Sequence, residues 1–233
     1  MQISSFGLSD PGPAGKRQED AFLCDDTKGL YIVSDGIGST SGADVASRAV
    51  VDAAWRAMLD GAPIAKAGNA AARALDERAK AQPALSNMAA TLTMLRFSGA
   101  RFEGSHVGDS RAYLCRGGTL VQLTRDHSVA FEQYLAGAIS KDQIRKHKNQ
   151  SHLTRAVRVG LGFSATDPFG GETKPRDTFL LCTDGLTKEL SDADIVLMLG
   201  HPDPPEAIAT ALHEEVKRRI PVDNVTIVVV CVT

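Results

Sequence analysis

Two Asp-Gly pairs, Asp35-Gly36 and Asp184-Gly185, each follow an apolar run directly: Leu30-Tyr31-Ile32-Val33, with one serine between, and Phe179-Leu180-Leu181-Cys182, with one threonine between. Asp-Gly after a strand ordinarily makes a hairpin turn. Neither pair, however, is followed by a returning strand. Asp35-Gly36 leads into a loop and then a helical pattern, and Asp184-Gly185-Leu186 leads into Ser191-Asp192, which reads as a helix cap. Both carboxylates are therefore expected at strand ends facing loops, where binding residues collect. Glu19-Asp20, just before Phe22-Leu23, and Asp223, just before the apolar run 225–230, fit the same description. Asp109, in Val107-Gly108-Asp109-Ser110-Arg111, is expected at a hairpin tip, where a turn role competes with a binding one. Asp60-Gly61 ends an amphipathic pattern and reads as a helix stop.

Converging carboxylates without a cation would repel, and some would stay protonated. A hard divalent ion relieves this. Mg²⁺ and Mn²⁺ take oxygen ligands in octahedral geometry, so an all-carboxylate site selects them over Zn²⁺. The six histidines, His106, His127, His147, His152, His201 and His213, form no H-E-x-x-H or comparable pair, which supports that exclusion.

The elements that must position these acids alternate in blocks. β-like runs at 2–8, 21–24 and 30–33 precede a helical pattern from Ala43, with Ala46, Ala49, Val50, Ala53 and Ala57 on one face. A second alanine-rich helix is expected over 64–81, stopped by Pro83. Strand-like runs at 91–97, 102–107, 112–115 and 119–123 are separated by short turns such as Ser98-Gly99 and Gly117-Gly118, a spacing that predicts antiparallel hairpins. Residues 126–176 give a short helix near 129–136, a basic polar stretch and a Gly/Pro-rich loop at 160–176. A buried strand at 179–182, helices at 195–199 and 206–219, and a β-branched strand at 222–232 complete the chain. Helices inserted in two blocks among hairpins predict α+β layers of antiparallel sheets covered by helices.

With 233 residues, 43% of them hydrophobic, the chain can bury one sizeable core, and residues 1–233 are read as a single domain. A net charge of −2 gives no global attraction to nucleic acid or to an anionic membrane. Cys24, Cys115, Cys182 and Cys231 are widely spaced and read as buried free thiols of a reducing compartment. The start of the chain lacks a signal-peptide pattern and no segment approaches the roughly 20 apolar residues of a membrane span. The expectation is a soluble, cytoplasmic protein.

Seven segments in order, Gln18-Glu19-Asp20, Val33-Ser34-Asp35-Gly36-Ile37-Gly38, Gly108-Asp109-Ser110-Arg111, Leu123-Thr124-Arg125-Asp126-His127-Ser128, Leu153-Thr154-Arg155-Ala156, Cys182-Thr183-Asp184-Gly185-Leu186 and Asp223-Asn224-Val225-Thr226, resemble the motifs of the protein phosphatase 2C family, in the manner of its bacterial stand-alone members. The match covers nearly the whole chain. The resemblance implies a four-layer α-β-β-α sandwich of two antiparallel sheets flanked by helix pairs. It implies metal-dependent hydrolysis of phosphoserine and phosphothreonine in proteins by a water or hydroxide bridging two Mg²⁺ or Mn²⁺ ions, without a protein nucleophile. Asp35 would bridge the two ions, the Gly36 carbonyl and Glu19 would belong to one, and Asp184 and Asp223 would hold the other. Asp20 would hold metal-bound waters, and Asp109 with Asp184 would share a third, weaker ion. The implied partners are phosphorylated proteins, a serine/threonine kinase and its targets, approached by a monomer.

The chain also departs from the family. An arginine that grips phosphate in relatives, five residues before the aspartate matching Asp20, is Gly15 here. Arg17, whose planar fork suits phosphate, or Lys16 could substitute, although both also read as solvated surface charges. Ile37 stands where many eukaryotic relatives have histidine, and Ser39-Thr40-Ser41 replaces a more glycine-rich stretch. Lys141, Arg145, Lys146, Lys148, Arg155 and Arg158 fall in a flap-like insertion, approximately 126–160, where a basic face could draw in a phosphorylated partner. The alternative is a catalytically silent phosphatase-like module that binds phosphoproteins. A dinucleotide loop at Gly36-Ile37-Gly38 fits poorly, because Gly42 comes one residue late and Asp35 would repel a pyrophosphate.

Overall fold

The computed structural model of the chain describes residues 2–38, 42–160 and 165–233, so the substituted stretch Ser39-Thr40-Ser41 lies outside the described residues. Strands β1 (Ile3–Asp10), β2 (Asp20–Asp25) and β3 (Leu30–Asp35) come first, followed by helices α1 (Ala43–Leu59) and α2 (Ile64–Ala81). Asp60 and Gly61 do end α1, with the Gly61 amide donating to the Met58 carbonyl at 3.1 Å. The buried face of α1 runs through Ala46, Val50, Ala54 and Met58, while Ala53 and Ala57 are only half-buried, so the apolar stripe drifts from the one read in the sequence.

Next come β4 (Ala89–Ala90), β5 (Leu92–Ser98), β6 (Arg101–Val107), β7 (Arg111–Arg116) and β8 (Thr119–Gln122). The β5–β6 and β7–β8 pairs are the expected hairpins. Between β6 and β7 there is no hairpin: β6 belongs to one sheet and β7 to the other, and Gly108, at φ 113, makes the crossing. Asp109 therefore sits on a bridge between sheets, a link whose length in sequence cannot be told from a turn.

Helices α3 (Val129–Leu135) and α4 (Lys141–Ile144) and strand β9 (Val157–Arg158) occupy the insertion. β10 (Asp167–Glu172) stands where a loop was expected. Its Pro168 and glycines hide the strand in sequence, yet β10 lies at a sheet edge, where a missing amide donor is tolerated. β11 (Thr178–Cys182) runs into α5 (Asp184–Glu189), a helix that Gly185 conceals in the sequence. Helices α6 (Asp192–Leu199) and α7 (Pro205–Arg218) and strand β12 (Val225–Val232) follow. Ser191 caps α6 as read, its hydroxyl accepting from the Asp194 amide.

Two five-stranded sheets result, ordered β1-β12-β11-β7-β8 and β10-β6-β5-β3-β2. Side-chain alternation divides the core into three layers. Ile32, Met94 and Leu92 face α1 and α2, and Leu180, Ile227 and Val229 face α6 and α7. Tyr31, Val33, Leu95, Phe179, Leu181 and Val228 meet between the sheets. This is the α-β-β-α sandwich. β12 reads as a continuous apolar run because it is covered on both faces. All four cysteines are free thiols.

Candidate metal centre

The site forms where the ends of both sheets meet. β2 begins at Asp20 and β3 ends at Asp35, and the ladder makes these two residues direct partners. In the other sheet the adjacent strands β11 and β12 are flanked by Asp184 and Asp223. Asp20 ties the two sheets together: Thr183 Oγ1 and Thr226 Oγ1 donate to its Oδ2 at 2.8 and 2.7 Å. Close approaches fix the backbone, since a Cβ on Gly185 would collide with the Asn224 carbonyl and one on Gly36 with the Ala43 carbonyl.

Asn224, buried, anchors the loop that carries Glu19. Its Nδ2 donates to the Pro11 and Arg17 carbonyls at 2.8 and 3.0 Å, and its Oδ1 accepts from the Glu19 amide at 2.8 Å. The Glu19 carbonyl in turn accepts from the Gly36 amide at 3.0 Å. The Asp109 bridge is held from below. The Gly108 amide donates to His127 Nδ1 at 3.0 Å, His127 stacks on His106 with ring centroids 4.6 Å apart, and Arg111 makes a two-pronged pair with Asp126. Both imidazoles are thus occupied in packing, with burial pushing His106 down to about 4.

Glu19, Asp35, Gly36, Asp109, Asp184 and Asp223 all line one open cavity of about 660 Å³, and Asp20 lies buried just behind it. Burial and mutual repulsion govern their acidity. Burial raises Asp35 well above the ordinary carboxylate range, with the neighbouring Asp20, Asp184 and Asp109 adding to it. Asp109 is raised likewise, by burial and then by Asp184, and burial lifts Asp20 to about 7 against the donations of the two threonines. Burial also raises Asp184 and Glu19. For Asp223 burial acts upward too, but Lys188 and Lys16 outweigh it and hold the group below its usual value.

A hard divalent ion suits this donor set. Asp20 Oδ1 and Asp184 Oδ1 are buried without a hydrogen-bond partner, a costly state that a cation or its water would relieve. Among the described residues no three His, Cys, Asp or Glu side chains already stand as a closed ligand cluster. Ammonium groups stand between them instead. Lys188 Nζ lies 2.6 Å from Asp184 Oδ2 and 2.8 Å from Asp223 Oδ2, and Lys16 Nζ pairs with Asp223.

Of the two candidates for gripping phosphate, Lys16 lines the cavity. Arg17 points elsewhere, pairing with Asp44 at 2.8 Å with its side chain 71% exposed. From the insertion, Lys148, Gln150, Ser151 and His152 reach the cavity rim. Sequence reading had no means to single out Lys188 or His152. The first becomes visible only once α5 is known to begin at Asp184, which puts residue 188 one turn above it.

The profile of protein phosphatase 2C matches residues 13–216. The chain belongs to the protein phosphatase 2C family. It is 35% identical over 211 residues to the serine/threonine protein phosphatase PstP of Mycobacterium tuberculosis, covering 86% of this chain and 40% of that protein. Thus it spans well under half of that relative's length. To the serine/threonine phosphatase stp of Listeria welshimeri it is 32% identical over 200 residues, covering 80% of this chain and 79% of the other. A crystal structure of the catalytic domain of PstP, described as a complex with 2 manganese ions, superposes with a TM-score of 0.87 at 30% identity, covering 99% of each chain. The protein phosphatase 2C sandwich and the layered fold described above are the same architecture.

Proposed function

We propose that this chain removes phosphate from phosphoserine and phosphothreonine in proteins, using Mg²⁺ or Mn²⁺. The observation that carries the reading is the convergence of Glu19, Asp35, Asp109, Asp184 and Asp223, drawn from both sheets, on one cavity open to solvent. The manganese complex of the PstP catalytic domain supports the choice of ion. When bound, two such ions supply an acidified water and neutralise the charge of the phosphoryl oxygens.

The chain's own groups do the rest. Asp35, the Gly36 carbonyl and Glu19 would hold one ion, Asp184 and Asp223 the other, and Asp109 with Asp184 a third. Asp20, clamped by Thr183 and Thr226 through Oδ2, keeps a buried Oδ1 without a hydrogen-bond partner that would orient water at the site. Lys16 supplies a positive charge at the cavity wall for the substrate's phosphate, the role that Arg17, turned to Asp44, is not placed to take. Lys148 and residues 150–153 line the cavity, and the insertion they belong to, approximately 126–160, would act as a flap within one catalytic domain spanning 1–233.

By analogy with its relatives the protein would oppose a serine/threonine kinase, acting as a cytoplasmic monomer on that kinase and its targets. No described helix is long and apolar enough to cross a membrane. The test is hydrolysis of a phosphothreonine peptide with Mn²⁺, with chelator, and by Asp184→Asn. Turnover that requires Mn²⁺ and is lost in the variant is expected. Absence of metal-dependent turnover in the wild type would leave a phosphoprotein-binding module in its place.

A further inference from the structure

Resting on the metal-binding reading above, we propose that Lys188 is a built-in cation that occupies the Asp184–Asp223 pair in the metal-free chain and leaves it when a divalent ion binds. Its ammonium joins these two carboxylates, at 2.6 and 2.8 Å. They are the pair that would hold a single ion. Helix geometry makes the contact: Asp184 opens α5, and a residue four positions later lies on the same face, one turn up. The side chain is 17% exposed, and a lysine so enclosed persists where its charge is partnered.

Lys16 reinforces the arrangement from the N-terminal loop, donating to the Val222 carbonyl at 3.0 Å and pairing with Asp223. Asp223 thus faces two ammonium groups. A divalent ion joining the same carboxylate oxygens would meet Lys188 Nζ at short range, where the two cations repel, so binding favours departure of the ammonium. The flexible four-carbon stem gives the lysine a way out, and the cavity that both lysines line gives it somewhere to go. The metal-free site is therefore partly neutralised from within, and metal affinity reflects an exchange of cations rather than simple filling.

The experiment is calorimetric titration of the metal-stripped full chain with MnCl₂, comparing wild type with Lys188→Met, which keeps the stem and removes the charge. The variant should bind Mn²⁺ at least about tenfold more tightly, a difference of about 1.4 kcal/mol. Its metal-free melting temperature should fall while the Mn²⁺-saturated one does not. On the wild type, reductive dimethylation read by mass spectrometry should modify Lys188 faster once Mg²⁺ is added. Equal or weaker Mn²⁺ binding by the variant, or unchanged labelling of Lys188, overturns the exchange. Asp35→Asn separates the two readings. A wild type that binds no Mn²⁺ overturns both, whereas binding that Asp35→Asn abolishes and Lys188→Met leaves unaltered overturns the exchange alone.

Discussion

Asp20 and Asp35 are direct cross-strand partners, so two carboxylates stand opposite one another at the rim of a single hairpin. Like charges in that relation destabilise a sheet, and here burial raises the pKa of both, making each a weaker acid. The two threonine hydroxyls on Asp20 ease this pairing, and a cation at the proposed site would relieve the rest. Several measurable consequences come from that conflict.

Replacing Asp35 by Asn removes one charge and should stabilise the metal-free chain while abolishing Mn²⁺ binding. A gain of about 1 kcal/mol would raise the melting temperature by roughly 2–4 °C for a chain of this size. Thermal melts in chelator check it. A lower melting temperature for Asp35→Asn would show that the carboxylate is not strained.

The metal-free chain should lose stability as pH rises from about 4 to about 7. Asp20 is raised to about 7 from 3.8, so between those values the native state holds a proton that the unfolded chain has released. Stability then falls with pH through that window, and the raised Asp35, Asp109 and Asp184 act in the same direction. Saturating Mn²⁺ favours the ionised form and should flatten the fall. Urea midpoints with and without metal across the window decide the matter.

Asn224→Ala should cost about 2–3 kcal/mol, since it removes a buried side chain that makes three hydrogen bonds to the 11–19 loop. Because the freed loop carries Glu19, Mn²⁺ affinity should drop as well. Denaturant titration and calorimetry give the two numbers. A stability loss with wild-type metal affinity would mean that Glu19 is placed by other contacts.

Gly185→Ala should be harsher than an ordinary overpacking change, which costs about 1–3 kcal/mol. The added methyl meets backbone, the Asn224 carbonyl, rather than a side chain that can turn aside. Loss of Mn²⁺ binding together with a lowered urea midpoint is expected.

Neutralising Lys146 and Lys148 should reduce turnover of a phosphoprotein more than that of a small aryl phosphate. Lys148 lines the cavity itself, and Lys146 lines a neighbouring one of about 640 Å³ beside Arg145 and Asp192. Equal losses on the two substrates would assign the charges to the chemistry instead of to docking.

The acids were legible in the sequence because an aspartate at the end of a buried run declares its own position. Asp35, Asp184 and Asp223 each follow or precede such a run, and the strands deliver them to one cavity. What the chain hides is anything that depends on how elements are joined. The three residues between β6 and β7 read equally as a hairpin turn and as a crossing between sheets, and only the stacking of the sheets decides. β10 was masked by Pro168 and its glycines, tolerable at an edge. Lys188 was missed because its partners are set by a helix that Gly185 makes invisible, and Arg17 looked well placed because spacing says nothing about which way a loop residue turns.

The clamp of Thr183 and Thr226 on Asp20 joins side chains from opposite leaves of the sandwich. Ions held by acids from both leaves would act as a caliper on the gap between them. Phe97, Phe102 and Phe179, which pack edge to face in that gap, then set the spacing that the caliper reads. Trimming one of these rings would register as a change in metal affinity, although none of them lines the cavity. With ions held as proposed, the hydrophobic interior and the coordination chemistry would share a single dimension.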